Sequence, residues 1–125
     1  ERKLILSSTF KLTKTPDKDK EKIESECKKY ISARIDKGHF KFPSAGSVFK
    51  NNRDFGEPSG AIIDKAGLCG TKIGNAQIAP FHGNFIVNIG NATADDIKQL
   101  VKFTQNRVKK LYGFCLEPEI IFIEN

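Results

Sequence analysis

The segment from Thr93 to Gly113 constrains this fold more than any other. Thr93 to Asp96 resembles a capping box, with aspartate in the position usually held by glutamate, so a helix should begin there. Ile97, Leu100, Val101, Val108 and Leu111 then recur on one side of a 3.6-residue period, and Gly113 supplies a stop. A helix with one apolar stripe needs a second layer to bury it against. The flanking segments read as that layer. Lys72 to Ala79 and Asn84 to Asn88 look like two strands joined by a turn around Pro80 to Gly83, and Phe114 to Ile123 reads as a last strand. The expected class is α+β, with helices packed on one sheet.

The N-terminal half adds further elements. Leu4 to Leu12 alternates around Phe10 and reads as a strand. Thr15 can cap a helix whose first position is Pro16. Ile23, Cys27, Tyr30 and Ile31 fall at i, i+4, i+7 and i+8 on one face of it, and Gly38 can end it. The interleaved charges from Lys18 to Lys29 fit its solvated side. Lys41 to Asn51 reads as a turn feeding a short extended segment, and Ser59 to Ala66 as a short helix closing at Gly67. Two longer helices, one short helix and several strands make a single domain, without repeats, low-complexity tracts or linkers.

Composition excludes several classes. A chain of 125 residues fits one domain with its own core. With 38% hydrophobic and 29% charged residues it reads as a soluble globular domain rather than a disordered one. No apolar run approaches a membrane span, and Glu1-Arg2-Lys3 before Leu4-Ile5-Leu6 lacks the length and cleavage pattern of a signal peptide. The chain has no methionine, which is expected of a piece of a longer protein. Cys27, Cys69 and Cys115 are widely spaced and odd in number. They imply no disulfide framework and no metal motif, but thiols in a reducing compartment, with Cys27 and Cys115 as small core residues. A net charge of +6 favours an anionic partner. Acids alternate with bases along the first helix, which argues against a nucleic-acid stripe there.

Two residue types carry the candidate chemistry. Ser47 lies in the small-residue turn Pro43-Ser44-Ala45-Gly46-Ser47-Val48-Phe49-Lys50-Asn51. Read alone, its hydroxyl could simply stabilise the turn. Glu119 sits in an apolar segment, where a carboxylate held among Ile120, Ile121 and Phe122 would be desolvated and its pKa raised. Glu117 shares its face by strand parity and reads as a rim residue. Arg34 and Lys37 lie at i and i+3 near the end of the first helix, on one side. A cation there also suits the helix C-terminus. Asn51 could be a turn former, and His82 a local hydrogen-bonding residue.

These residues recur in an ordered set of motifs. Gly46-Ser47-Val48-Phe49-Lys50-Asn51 is followed by Ala66-Gly67-Leu68-Cys69-Gly70, Ile73-Gly74-Asn75-Ala76-Gln77, His82-Gly83-Asn84-Phe85-Ile86-Val87-Asn88 and Leu116-Glu117-Pro118-Glu119-Ile120. Together they resemble the C-terminal, substrate-binding domain of the UDP-N-acetylenolpyruvoylglucosamine reductases, from Ile31 to Ile123 and more faintly through Leu4 to Leu12. The resemblance implies a division into residues 1–14, the end of a preceding flavin-binding domain, and residues 15–125, the substrate-binding domain. It implies a cytoplasmic flavoenzyme of peptidoglycan synthesis that uses FAD, bound mainly by upstream domains, and NADPH. The implied substrate is the enolpyruvyl ether of UDP-N-acetylglucosamine, with neither nucleic acid nor membrane as a partner. Ser47 takes the place of the proton donor and Glu119 that of the residue stabilising the enolate-like intermediate. Lys37 matches a lysine contacting the nucleotide, Asn51 an asparagine contacting the uridine diphosphate, and His82 a variable polar residue on the substrate side. Gly46 would allow close backbone approach, Arg34 would lie beside Lys37, and Lys50 would tune Ser47.

The chain also departs from the family pattern. Cys69 stands where a lysine often reaches the diphosphate, Asn52 replaces a frequent proline, and Ile121 stands where an arginine commonly neutralises the substrate carboxylate. A long tyrosine-bearing insertion is absent, which places the chain nearer the branch without that covering loop. The alternative reading is a non-catalytic basic module of the same fold, binding nucleotide or RNA. No RNA-binding signature supports it, and Ser47 together with Glu119 argues for chemistry.

Overall fold

The computed structural model describes residues 5–14 and 16–123. Its best-anchored element is the helix Ala94–Tyr112 (α3). Thr93 Oγ1 accepts the Asp96 N–H at 3.1 Å, and the Asp96 carboxylate accepts the Thr93 N–H at 2.9 Å, closing the expected capping box. Gly113, with φ of +84°, ends the helix. Leu100, Val101 and Val108 are buried as expected. Thr104 is buried with them, its hydroxyl donating to the Leu100 carbonyl at 2.8 Å, which satisfies the polar group inside the core. Leu111 does not join the stripe. It is 52% exposed.

That sheet has four strands in the order β1-β4-β3-β2: Ser44–Ser47 (β1), Lys72–Ile73 (β2), Ala76–Ile78 (β3) and Phe85–Asn88 (β4), all paired antiparallel. The single strand expected over Lys72 to Ala79 is a hairpin. Lys72 pairs Gln77 and Ile73 pairs Ala76, so Gly74-Asn75 forms a two-residue turn. The last strand expected over Phe114 to Ile123 is reduced to one bridge between Phe49 and Pro118, flanked by Lys50 N–H to Glu117 O at 2.9 Å and Glu119 N–H to Val48 O at 2.8 Å. After Lys50 the partner segment turns away into bends held by the side chains of Asn51 and Asn52.

The short helix Ser59–Lys65 (α2) closes the layer, placing Ile62 and Ile63 in a core with Phe49, Leu68, Ile78, Leu100 and Leu116. Its start is tied to the strand segment by Ser59, whose N–H donates to Asn51 Oδ1 at 2.9 Å and whose hydroxyl donates to the Lys50 carbonyl at 2.7 Å. Gly83 is required by this packing: a Cβ there would collide with the Gly60 carbonyl.

The first helix, Lys20–Asp36 (α1), follows a 3-10 turn at Asp17–Asp19 and ends before Gly38. Thr15, the expected cap, lies outside the described residues. The expected apolar face is not buried: no residue of α1 is, and Tyr30 is 69% exposed. Cys27 and Cys115 are both exposed, so neither is the core residue expected. The strand expected from Leu4 to Leu12 is not formed by residues 5–12, which have no regular structure and lie exposed. An alternating segment becomes a strand only when paired with a partner edge, and residues 5–12 pair with none of the described strands. Among the described residues no helix is long and apolar enough to cross a membrane.

Candidate functional site

Ser47 is aimed by a bulge. Ser44 pairs Val87 and Ser47 pairs Phe85, so β1 carries one residue more than β4 over that interval. Gly46 supplies the left-handed conformation, with φ of +81°, and its N–H is received by Ser44 Oγ at 3.2 Å. A bulge twists the strand and re-aims the next side chain. Ser47 is thereby exposed at the rim of three adjoining hollows.

The first hollow, of about 580 Å³, is lined by Ala45, Ser47, Glu119, Ile120 and Ile121. The two candidate catalytic residues therefore share one space. Strand parity explains the face: Leu116 is buried and Pro118, Ile120 and Phe122 are half-buried, while Glu117, Glu119 and Ile121 point outward. Glu119 is thus exposed rather than held among Ile120, Ile121 and Phe122 as expected, because Ile120 and Phe122 face the core instead. Glu117 forms an ion pair with Lys50. Lys50 is consequently turned to Glu117, and it does not line the hollows around Ser47.

The second hollow, of about 740 Å³, brings Ser47 together with Arg34, His39, Lys41, His82 and Phe85. No carboxylate lines it, so its charge suits an anion. Lys37 lines a neighbouring hollow with Phe40, Lys41 and Phe81, so Arg34 and Lys37 do not converge as their spacing suggested. His39 was not foreseen from the sequence. Its ring lies 5.8 Å from that of Phe81, 5.3 Å from Phe85 and 6.0 Å from His82, docking the end of α1 onto the sheet. Its position just after the Gly38 stop was the available signal. His82 Nδ1 accepts the Asn84 N–H at 3.2 Å. Burial, and then the charge of His39, holds the His82 pKa below its ordinary value, so it enters the site as a neutral ring at pH 7.

The third hollow, of about 340 Å³, is bounded by Ser47, Asn51, Asp64, Cys69, His82 and Asn84, among others. Asn51 lines it while its Oδ1 holds Ser59, so it is a turn former as well as a candidate contact. Burial pushes the Cys69 thiol up to about 11, with a hydrogen bond to Asp64 adding to the shift. Cys69 is therefore a neutral thiol where a lysine would bring charge.

Known proteins resemble this chain in sequence and fold. The family model of the UDP-N-acetylenolpyruvoylglucosamine reductase C-terminal domain matches residues 38–123. Reductases of that name from Treponema denticola and Treponema pallidum are 54% and 50% identical over 121 residues, 97% of this chain and 36% and 33% of theirs. The crystal structure of the reductase (MurB) from Thermus caldophilus superposes with a TM-score of 0.51 at 41% identity, covering 70% of this chain and 31% of that one. The chain thus spans about a third of the length of the relatives it matches. The chain belongs to the UDP-N-acetylenolpyruvoylglucosamine reductase family and corresponds to its C-terminal domain.

Proposed function

We propose that this chain is the substrate-binding part of a cytoplasmic enzyme that reduces the enolpyruvyl ether of UDP-N-acetylglucosamine to UDP-N-acetylmuramate for peptidoglycan synthesis. The observation that carries the reading is the shared hollow of Ser47 and Glu119 beside a cationic cavity. The hollow suits a redox group presented from outside the chain: its walls are a hydroxyl, a carboxyl and two isoleucines, none of which holds a transferable hydride. FAD, which upstream flavin-binding domains would mainly hold and NADPH would reduce, would supply the hydride chemistry for the vinyl group.

The rest falls to this chain. Negative charge builds on the adjoining carbon and its carboxylate, and preorganised groups aimed there lower the barrier. Glu119, which lines the same hollow as Ser47, is the group placed to stabilise the developing enolate. Ser47 Oγ gives its proton to the adjoining carbon, and water restores it. The carbon–carbon double bond thereby gains one hydride and one proton. Arg34, His39 and Lys41 hold anionic parts of the substrate, Asn51 and His82 contribute polar contacts, Gly46 keeps the backbone open, and Lys37 serves a more distant part of the nucleotide. Lys50 fixes Glu117, not the Ser47 proton.

The test is NADPH oxidation by the full-length protein with the enolpyruvyl sugar nucleotide. Substrate-dependent oxidation in the wild type, lost in Ser47→Ala while flavin reduction persists, is the expected result. Flavin reduction without a substrate response points to a different substrate and implicates Cys69 and Ile121. Absence of flavin overturns the reading in favour of a nucleotide- or RNA-binding module, whose affinity should fall steeply with salt. The 125-residue chain alone is expected to be inactive. Flavin copurifying with it, together with substrate-dependent oxidation, would refute that.

A further inference from the structure

We infer that Asn84 is the positioning residue that keeps Ser47 and Glu119 in register, an inference that rests on the catalytic reading above. Asn84 is 3% exposed, in the turn that leads into β4. Its side-chain amide behaves as a rung of the sheet. Nδ2 donates to the Phe49 carbonyl at 2.8 Å, and Oδ1 accepts the Phe49 N–H at 2.8 Å. Its own carbonyl accepts the Val48 N–H at 2.9 Å. The assignment of nitrogen and oxygen is self-consistent, because the flipped amide would set carbonyl against carbonyl and N–H against N–H.

The opposite edge of the same short segment holds the other catalytic candidate. The Val48 carbonyl accepts the Glu119 N–H at 2.8 Å. Val48 and Phe49 are therefore gripped on one side by Asn84 and on the other by the segment bearing Glu119, with Ser47 the next residue along. Ladder pairing between β1 and β4 ends at Ser47 and Phe85, so the strand alone does not continue this grip on the β4 side. Asn84 continues it, because one planar amide offers both a donor and an acceptor. The Asn84 N–H also reaches His82 Nδ1, so the same residue orients a second wall of the site.

The test uses the full-length protein with NADPH and the enolpyruvyl sugar nucleotide. Asn84→Asp preserves shape and the acceptor but loses the donor. Asn84→Ala loses both, and Val108→Ala, in the α3 core, serves as a control for lowered stability away from the site. Turnover in the Asn84 variants should fall about 10²-fold, the size expected for a reacting group displaced by about 1 Å. KM should change far less, and Val108→Ala should keep its kcat. In a Ser47→Ala background the residual turnover should fall clearly less on Asn84→Asp than it does in the wild type, since only the Glu119 half of the geometry it protects is still in use. An unchanged kcat in the folded variants, or a loss that simply multiplies with that of Ser47→Ala, overturns the inference while leaving the proposed reaction intact. Failure of both Asn84 variants to fold assigns Asn84 to folding and overturns it equally. Full activity of Ser47→Ala would instead remove the catalytic reading, and this inference with it.

Discussion

The helices α1 and α3 are of similar length, 17 and 19 residues, and each shows an apolar stripe in the sequence. α3 buries Leu100, Val101, Thr104 and Val108, whereas α1 buries nothing. The difference lies in what each faces. α3 lies across β2 and β3, whereas the exit of α1 is docked on the sheet by the His39 ring. An apolar stripe states that a helix needs a partner. It does not state that the partner is within the same chain, and in a family whose members run about three times this length it need not be.

The contrast can be broken or sharpened by substitution. The largest effect is expected for Leu100→Ala, which empties a fully buried site and should cost about 2–5 kcal/mol in denaturant unfolding. Thr93→Ala removes one half of the capping box and should cost about 1 kcal/mol. It should also alter acid stability. Hydrogen bonding by the Thr93 backbone N–H, and secondarily by its hydroxyl, holds Asp96 below the ordinary aspartate value of 3.8. A depressed carboxylate contributes stability that is present above its unfolded pKa and lost as pH falls through the folded one. Unfolding followed from pH 5 downward should therefore show a shallower acid loss in Thr93→Ala than in the wild type.

The α1 side should respond weakly. Ile31, at 57% exposure, should change the stability of this chain by no more than about 0.5 kcal/mol when replaced by alanine. A loss of several times that size in the full-length protein, absent from the isolated chain, would show that upstream domains cover this face. The smallest effect is expected for Lys20→Ala. Its pair with Asp17 at 2.7 Å is exposed and spans i to i+3, so about 0.2–0.5 kcal/mol is the most it should contribute.

Legibility follows the range of the forces involved. The capping box, the Gly113 stop, the α2 boundaries and the shared face of Glu117 and Glu119 were readable because each depends on residues within one or two turns of each other; that this face is the exposed one was not. The Gly74-Asn75 turn was also local, yet it was hidden inside an apolar run that satisfied a strand pattern. At the site, Ser47 and Glu119 were found through their motifs. His39 and Asn84 were not, since their roles come from rings and backbone groups distant in sequence. Lys50 was assigned to Ser47 by nearness along the chain, and Glu117 claimed it across the fold.

The sequence by itself determined the α+β class, the position and ends of α2 and α3, the family, and the residue types available for proton transfer. These follow from local hydrogen bonding, side-chain period and motif. Only the tertiary structure decided that Ser47 and Glu119 share one hollow, that Arg34 and Lys37 part company, and that α1 leaves its apolar face open. Those outcomes depend on which distant backbone edges meet, and an amide such as that of Asn84 acquires its meaning only when Phe49 arrives opposite it.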